Sequence, residues 1–201
     1  SNLLPLSFIR LYPFKWLGQI LFMKNLLNCH TIGLHSFPIS LENNLYKRIF
    51  YADTNHHLFK PLEIAIHPHH VDIKITILDG DLYNQIYELS NQGESLKKFL
   101  WNSHILNGKG GFEYLGEQKL KRISNEKYSI GETIIMRACE LHTVYVEQGK
   151  KCVWLIEESA PTCEYFPINY SDSDLTKWSA DGLYIEVGNE IRDKYILKYT
   201  L

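Results

Sequence analysis

The sequence predicts an all-β fold, either a sandwich or a small barrel, on two observations. In the segment 71–77, Val or Ile alternates strictly with polar residues, and the run ends at Gly80. Such a period of two is typical of a half-buried β-strand that ends in a turn. The second observation is a series of short candidate strands, separated by Gly or polar turns with little helix between them. Short strands at regular spacing are typical of sandwiches and barrels.

The first half of the chain contains a predicted hairpin and the strand that pairs with the central one. The hairpin covers 33–53, with a polar turn at 42–44, and a loop is predicted over 53–60. A partner strand is predicted over 82–89. The polar, Gly-containing segment 91–111 is predicted to be a flexible loop.

The second half adds further strands and a tail. Five strands are predicted, at 112–115, 119–128, 133–137, 141–146 and 152–157. A short helix is expected at 96–104 inside the preceding loop, and a helical turn at 174–178. The chain end, 195–199, is expected to be extended.

The opening segment 3–27 is apolar, but charged residues and two prolines interrupt it. It falls short of the about 20 uninterrupted apolar residues that a membrane span requires, and no small-residue cleavage site follows. A helix over 14–27 is predicted from apolar residues at helical spacing: Trp16, Ile20, Met23 and Leu27. We expect this helix to pack on the outside of a sheet or at a subunit contact, and a membrane-surface helix is the alternative.

The 201 residues are enough for one substantial core, so a single domain is predicted. We divide it into an N-terminal helical extension (1–31), a barrel (32–170) and a C-terminal tail packed on the barrel (171–201). The net charge of -2 and the lack of long Lys or Arg runs disfavour a nucleic-acid partner. The four cysteines form no C-x-x-C pair, which favours free thiols and a cytoplasmic location.

Two histidines stand one residue apart just before the central strand. Because residues i and i+2 of a strand point the same way, His67 and His69 share its apolar, inward face. Buried polar groups are costly unless a partner satisfies them. A metal ion would be such a partner, and hydrogen-bonded residues at the core edge are the alternative. A later strand places His142 in phase with Val144 and Val146, so three imidazoles are predicted to point inward and leave other metal positions open.

The spacing of these residues resembles the two motifs of the cupins, over roughly residues 63–159. The first motif, H-x-H followed by Glu and Gly, aligns with His67, His69, Ile73 in the Glu position, and Gly80. The second motif, with Gly, Pro, Gly and His at fixed offsets, aligns with Gly131, Arg137, Cys139 and His142. Both end-to-end spacings are kept, while the Glu, the Pro and the inner Gly are replaced.

The resemblance implies a double-stranded β-helix, the cupin jelly-roll barrel, with a metal held by His67, His69 and His142. A cupin with three histidines and no Glu is similar to the thiol dioxygenases, which use a three-His ferrous site. This similarity implies a divalent metal, Fe2+, with Zn2+ or Ni2+ as alternatives because imidazole suits all three. It also implies a small polar, thiol-like substrate, and the cupin resemblance implies a homodimer.

A non-catalytic cupin that binds a metal or a small ligand is the alternative function. The strand 152–156 lacks the Ser-x-His-x-Tyr arrangement that orients the thiol in cysteine dioxygenase. The tail 165–176 also looks like that of bacterial cupin-like proteins with no assigned function. Both observations favour the alternative.

Six other residues are weaker site candidates. His70 and Asp72 lie on the opposite face of a regular strand. Pro68 and a β-bulge would turn their side chains toward the site, so both are candidates for alternative ligands or for hydrogen-bond partners of a ligating His. The candidates for substrate contact are Arg48, Glu140, Tyr145 and Trp154. A surface Arg, an exposed turn carboxylate and packing aromatics are their ordinary interpretations.

Overall fold

The computed structural model describes residues 23–42, 45–56, 62–63, 65–101, 111–161, 168–172, 178–179 and 182–200. The described strands are β1 (Leu26–Leu27), β2 (Leu34–Glu42), β3 (Leu45–Asp53), β4 (Leu62–Glu63), β5 (Val71–Asp79), β6 (Leu82–Trp101), β7 (Gly111–Tyr128), β8 (Thr133–Met136), β9 (Leu141–Val146), β10 (Lys151–Pro161), β11 (Ile168–Ser171), β12 (Trp178–Ser179) and β13 (Ile185–Glu186). One α-helix, α1 (Asn189–Ile196), and two 3-10 turns (Thr54–His56 and Leu197–Tyr199) complete the described elements.

Strands β3 to β10 form a jelly roll. Strand β3 pairs with β10, β4 with β9, β5 with β8 and β6 with β7, all antiparallel. The eight strands therefore follow one long antiparallel hairpin that is wound up, with β3-β10-β5-β8 in one sheet and β4-β9-β6-β7 in the other. This nested pairing defines the double-stranded β-helix, and the all-β prediction is confirmed.

The core lies between the two sheets, and the central strand supplies much of it. In β5 the inward Val71, Ile73, Ile75 and Ile77 are 5%, 2%, 2% and 1% exposed. Burial of each such side chain contributes about 1.5–3 kcal/mol. Strand β5 ends at Asp79, and Gly80 follows it with a φ of 75°. A Cβ at this position would stand 2.1 Å from a backbone carbonyl oxygen of β10, so both features require glycine. The low exposure of the inward residues confirms the alternation predicted for β5.

The sequence predicts a helix near the N-terminus, whereas the described α-helix lies near the C-terminus. Residues 14–22 of that prediction fall outside the described residues. Its C-terminal end is strand, because Leu26 and Leu27 pair with β13 and Leu26 also pairs with β2. The described α-helix is the C-terminal α1, so the prediction of an extended end at 195–199 is also wrong. Ile196 is 1% exposed and packs with Phe37 and Ile49 on the outer side of the β2–β3 sheet.

The loop predicted over 91–111 and the helix predicted over 96–104 are wrong as far as residue 101, because β6 continues to Trp101. Residues 102–110 lie outside the described residues, and β7 begins at Gly111. Both Leu89 and Glu94 pair with Leu120 of β7, which marks a bulge in the ladder. A Cβ on Gly93 would stand 2.1 Å from the carbonyl oxygen of Leu120. The glycine that indicated a loop therefore belongs to a bulge within a long strand.

The cysteines correct a further prediction. Cys29 and Cys152 are buried free thiols, as expected, but Cys139 is disulfide-bonded. The prediction that all four cysteines are free is therefore wrong. Within the described part of the chain, no helix is both long and apolar enough to cross a membrane. Of the predicted helical turn at 174–178, residues 174–177 lie outside the described residues, and Trp178 lies in strand β12.

Candidate metal centre

Backbone pairing brings the two histidine-bearing segments together at one end of the barrel. The His67 amide donates to the His142 carbonyl at 2.9 Å, and the His142 amide donates to the His67 carbonyl at 3.2 Å. Two residues later, the His69 carbonyl accepts a hydrogen bond from the Cys139 amide at 2.6 Å. The segment 67–69 is thus tied at both ends to the segment that carries His142. Their side chains meet for this reason.

The three imidazoles have the geometry of ligands to one ion. One nitrogen from each of His67, His69 and His142 lies within 4.8 Å of the others. The Nε2 atoms of His69 and His142 are 2.8 Å apart. Two nitrogens bound to one ion at about 2.05 Å and at a right angle would stand about 2.9 Å apart. The residues therefore fit a single divalent ion.

Hydrogen bonds on the far side of two rings fix which nitrogen faces the ion. The Nδ1 atom of His67 is 2.8 Å from the Ala65 carbonyl oxygen, which only accepts, so this Nδ1 carries the proton. The Nδ1 atom of His142 is 3.0 Å from Oδ1 of Asn84, a side chain that is 2% exposed. Both arrangements leave Nε2 unprotonated and free to donate its lone pair to a metal.

The protonation of the three histidines also suits a metal. Desolvation lowers the pKa of His67, and it lowers those of His69 and His142 well below the ordinary value of 6.5. The mutual proximity of the rings lowers the pKa values of His69 and His142 further. All three are therefore neutral at pH 7, which is the form that binds a metal.

The turn before His142 is braced by three residues that the sequence analysis singled out. Cys139, in the position of the second motif's inner Gly, has a φ of 66°, the left-handed conformation that glycine favours. The Asp72 carboxylate accepts from the Ala138 amide at 2.8 Å, and the Glu140 carboxylate accepts from the Arg137 amide at 3.2 Å. Asp72 and Glu140 therefore stabilise the turn and are not among the three grouped ligands.

The other candidates are distributed between the interior and the outer surface. His70 is half-buried and lies outside the three-histidine group. Tyr145 stacks on Tyr83, with ring centroids 4.5 Å apart. Trp154 is 2% exposed and belongs to the core. Arg48 is 3% exposed and shares the inward face of β3 with Phe50 and Ala52, which are core residues.

Three further residues, beside the histidine group or inside the barrel, were not found from the sequence. The His30 ring stacks on His67 with centroids 5.6 Å apart, and desolvation followed by the charges of His67 and Arg48 lowers its pKa. The surface of His30 is exposed, whereas Asn84 and Glu158 are buried. Alternation could have found Glu158, because it is in phase with Trp154, but no local pattern marks His30.

Neither a family model nor a curated protein matches the chain. Similar solved structures include the polyketide cyclase RemF from Streptomyces resistomycificus, which is 14% identical with a TM-score of 0.42 over 76% of this chain and 84% of RemF. A cupin superfamily protein from Desulfitobacterium hafniense is 9% identical with a TM-score of 0.36 over 63% and 76% of the two chains. A cupin-2 domain protein from Shewanella frigidimarina is 13% identical, with a TM-score of 0.35 over 63% and 79%.

The nested strand pairing defines the fold as a double-stranded β-helix. The fold is that of the cupins. The three histidines come from the H-x-H segment before β5 and from the segment that begins β9, so both segments converge on one point of the barrel. The chain therefore has a cupin-like fold with three histidines that could hold one metal ion. The position of the family's Glu is taken by Ile73, which is 2% exposed and lies in the core.

Proposed function

We propose that this cupin holds one ferrous ion at His67, His69 and His142 and oxygenates a small polar, thiol-like substrate beside it. The observation that supports the proposal is the all-imidazole donor set, which occupies one side of an ion and leaves the other positions open. A bound ferrous ion would offer those open positions to ligands and would supply one-electron chemistry towards dioxygen.

The chain's own residues prepare this site in three ways. Asn84 and the Ala65 carbonyl orient two of the rings and fix their protons. The apolar residues of β5 and β9, such as Ile73 and Val144, line the interior and limit water. His30 covers one face of the His67 ring. These features hold the three donors in place before any ligand arrives.

The alternative is a cupin that binds a small molecule without converting it. Three of the inward residues of β10 favour it, because Cys152, Trp154 and Ile156 are core residues. The Ser-x-His-x-Tyr arrangement that orients a thiol in cysteine dioxygenase is not present on this strand.

Metal content is the first test. Elemental analysis of the purified protein is expected to give about one iron per chain, and His67→Ala and His142→Ala are each expected to abolish stoichiometric binding. His70→Ala is the matched control, because it removes a neighbouring imidazole outside the group. Retention of the metal by either ligand variant, or its loss in the control, would contradict the proposed ligand set.

Oxygen consumption is the second test. The iron-loaded protein is assayed against L-cysteine, cysteamine and 3-mercaptopropionate, with the product followed by mass spectrometry. Uptake of dioxygen with one of them supports the oxygenase. No uptake, together with thermal stabilisation by one of the thiols, supports the binding alternative. The predicted homodimer is tested separately by light scattering, where a monomer mass would exclude it.

A further inference from the structure

A disulfide-bonded cysteine lies in the turn that precedes His142. Cys139 is disulfide-bonded, whereas Cys29 and Cys152 are free thiols. The chain has four cysteines, so Cys163 is the one that remains as the partner of Cys139. Cys163 itself lies outside the described residues, but the strands on both sides of it are described. By elimination, the bond joins the turn before β9 to the connection between β10 and β11.

The connection between β10 and β11 begins and ends beside residues 66–71, which carry two of the ligating histidines and are called the histidine segment here. The last residue of this segment, Val71, pairs with Pro161 at the end of β10. Its first residue, Ile66, exchanges two backbone hydrogen bonds with Tyr170 of β11, at 2.8 and 3.0 Å. The connection that contains the second cysteine therefore flanks the histidine segment on one side.

The turn that contains Cys139 lies on the other side of the histidine segment. Successive residues of an extended segment direct their backbone groups to opposite sides. Ile66 bonds to β11, and the next residue, His67, bonds to His142 of β9. On this second side, the Cys139 amide donates to the His69 carbonyl at 2.6 Å. The disulfide therefore joins the two flanks and restrains the segments that carry all three imidazoles.

The disulfide also holds a backbone conformation that is unfavourable for cysteine. The φ of Cys139 is 66°, in the left-handed region that residues other than glycine adopt rarely. Such a conformation persists only where the surrounding structure imposes it. The Asp72 carboxylate supports the neighbouring Ala138 amide, and the disulfide adds a covalent restraint. Without that restraint, we expect Cys139 to relax and its amide to leave the His69 carbonyl.

A reductant from solvent can reach this bond without involving the two free thiols. Cys139 is exposed, whereas Cys29 and Cys152 are buried. Desolvation raises the pKa of the Cys29 thiol to about 11 and that of the Cys152 thiol to about 12. Because the thiolate is the form that attacks a disulfide, both free thiols stay inert at neutral pH. Exchange is therefore confined to the bond beside the histidines.

We propose that the Cys139 disulfide is a redox-controlled clamp on the three-histidine group. The intact bond holds the imidazoles at metal-binding distances, and its reduction lowers the affinity for the ion. The proposal rests on the metal-binding part of the proposed function and not on oxygenation. The reductant is a dithiol: its two thiols become a disulfide, while the protein bond accepts two electrons and two protons and becomes two thiols.

The first experiment compares zinc binding by the oxidised and the reduced full chain. Zinc is titrated in competition with a chromophoric chelator at pH 7.5, after reduction with a phosphine, which is then removed without air. We expect reduction to raise the zinc dissociation constant about tenfold and reoxidation to restore it. Cys152→Ala is the matched control, because it removes a free thiol beside Gly80, at the other end of β5 from the histidines. It should respond to reduction as the wild type does.

The second experiment separates the clamp from a general loss of stability. Cys139→Ser and Cys163→Ser should each bind zinc as the reduced wild type does and should not respond to the reductant. Cys139→Gly also lacks the bond, but glycine adopts the φ of 66° without strain. It should therefore recover part of the zinc affinity that Cys139→Ser loses. Equal affinities in the serine variant and the oxidised wild type would overturn the clamp.

The pairing and the direction of the effect are measured separately. Peptide mapping of alkylated, unreduced protein by mass spectrometry should find Cys139 linked to Cys163, and its absence would overturn the proposal. Cobalt replaces zinc in a third titration, because a thiolate ligand to cobalt gives a charge-transfer absorption band. Tighter binding after reduction, together with this band, would mean that a released thiol is a ligand, which contradicts a clamp.

The outcomes distinguish this proposal from the metal site. Oxidised protein that binds zinc with a dissociation constant unchanged by reduction overturns the clamp and leaves the metal site intact. Oxidised protein that binds no zinc refutes the metal site, and the clamp with it. Weaker binding after reduction, with rescue in Cys139→Gly, supports both.

Discussion

Asn84→Leu should weaken metal binding without removing any ligand. The Oδ1 atom of Asn84 accepts the proton of His142 Nδ1 at 3.0 Å inside the barrel, and both residues are buried, at 2% and 3% exposure. Leucine has a similar volume and no acceptor. The imidazole of His142 can then place its proton on Nε2, where it blocks the lone pair that faces the ion. Loss of such a partner typically weakens metal affinity 10- to 100-fold, which is about 1.4–2.8 kcal/mol.

The assay is a competition titration of Zn2+ against a chromophoric chelator at pH 7.5. Gln85→Leu is the matched control, because Gln85 is the next residue of β6 and is also buried, while its amide bonds to Asn125 and to the Tyr87 hydroxyl. It should bind zinc as the wild type does. Asn84→Asp keeps an acceptor and should retain the affinity. A folded Asn84→Leu protein whose dissociation constant stays within about twofold of the wild type would refute the argument.

Three further predictions concern the barrel itself. Trp154→Ala should lower the free energy of unfolding, measured in urea, by about 3–5 kcal/mol. Ile135→Ala, at a side chain that is 68% exposed, should change it by less than about 0.5 kcal/mol. Similar values for both variants would contradict the assigned core. Gly80→Ala, which drives a Cβ into a backbone carbonyl, should destabilise by more than about 2 kcal/mol, whereas Gly131→Ala has a φ of 85° with open space around it and should cost about 1 kcal/mol. The third prediction concerns the free energy of unfolding of the metal-free protein, measured by chemical denaturation at several pH values. Because the pKa of Glu158 is higher in the folded state, Glu158 should lower this free energy as the pH rises from about 4.5 to 7. Glu158→Gln should lose this part of the pH dependence, and an unchanged profile would contradict the raised pKa.

The central strand and the histidine pattern could be predicted from the sequence because both depend on local periodicity. Alternation along 71–77 fixed which face is buried, and the observed exposures follow it. The same rule put His67 and His69 on one face and His142 in phase with the apolar residues of β9. Gly80 could be assigned to a turn because few other residues adopt its backbone conformation.

The predictions that failed depended on pairing between distant segments. Polar residues and Gly93 indicated a loop, yet β7 runs beside them and turns the glycine into a bulge. Apolar spacing indicated a helix as far as Leu27, yet β13 supplies a partner for Leu26 and Leu27 from the other end of the chain. Local propensity is weak where such long-range hydrogen bonds are available.

By itself, the sequence determined that the chain is built of β-strands and that three imidazoles face the core. Only the tertiary structure decided that they meet, because His69 and His142 are 73 positions apart and their nitrogens come within 2.8 Å only through the register of the backbone bridge between His67 and His142. The same holds for Arg48 and Glu158, which become neighbours through the pairing of β3 with β10. Periodicity is a property of a few consecutive residues and fixes the face of a strand, whereas the register between strands is set by the packing of the whole barrel.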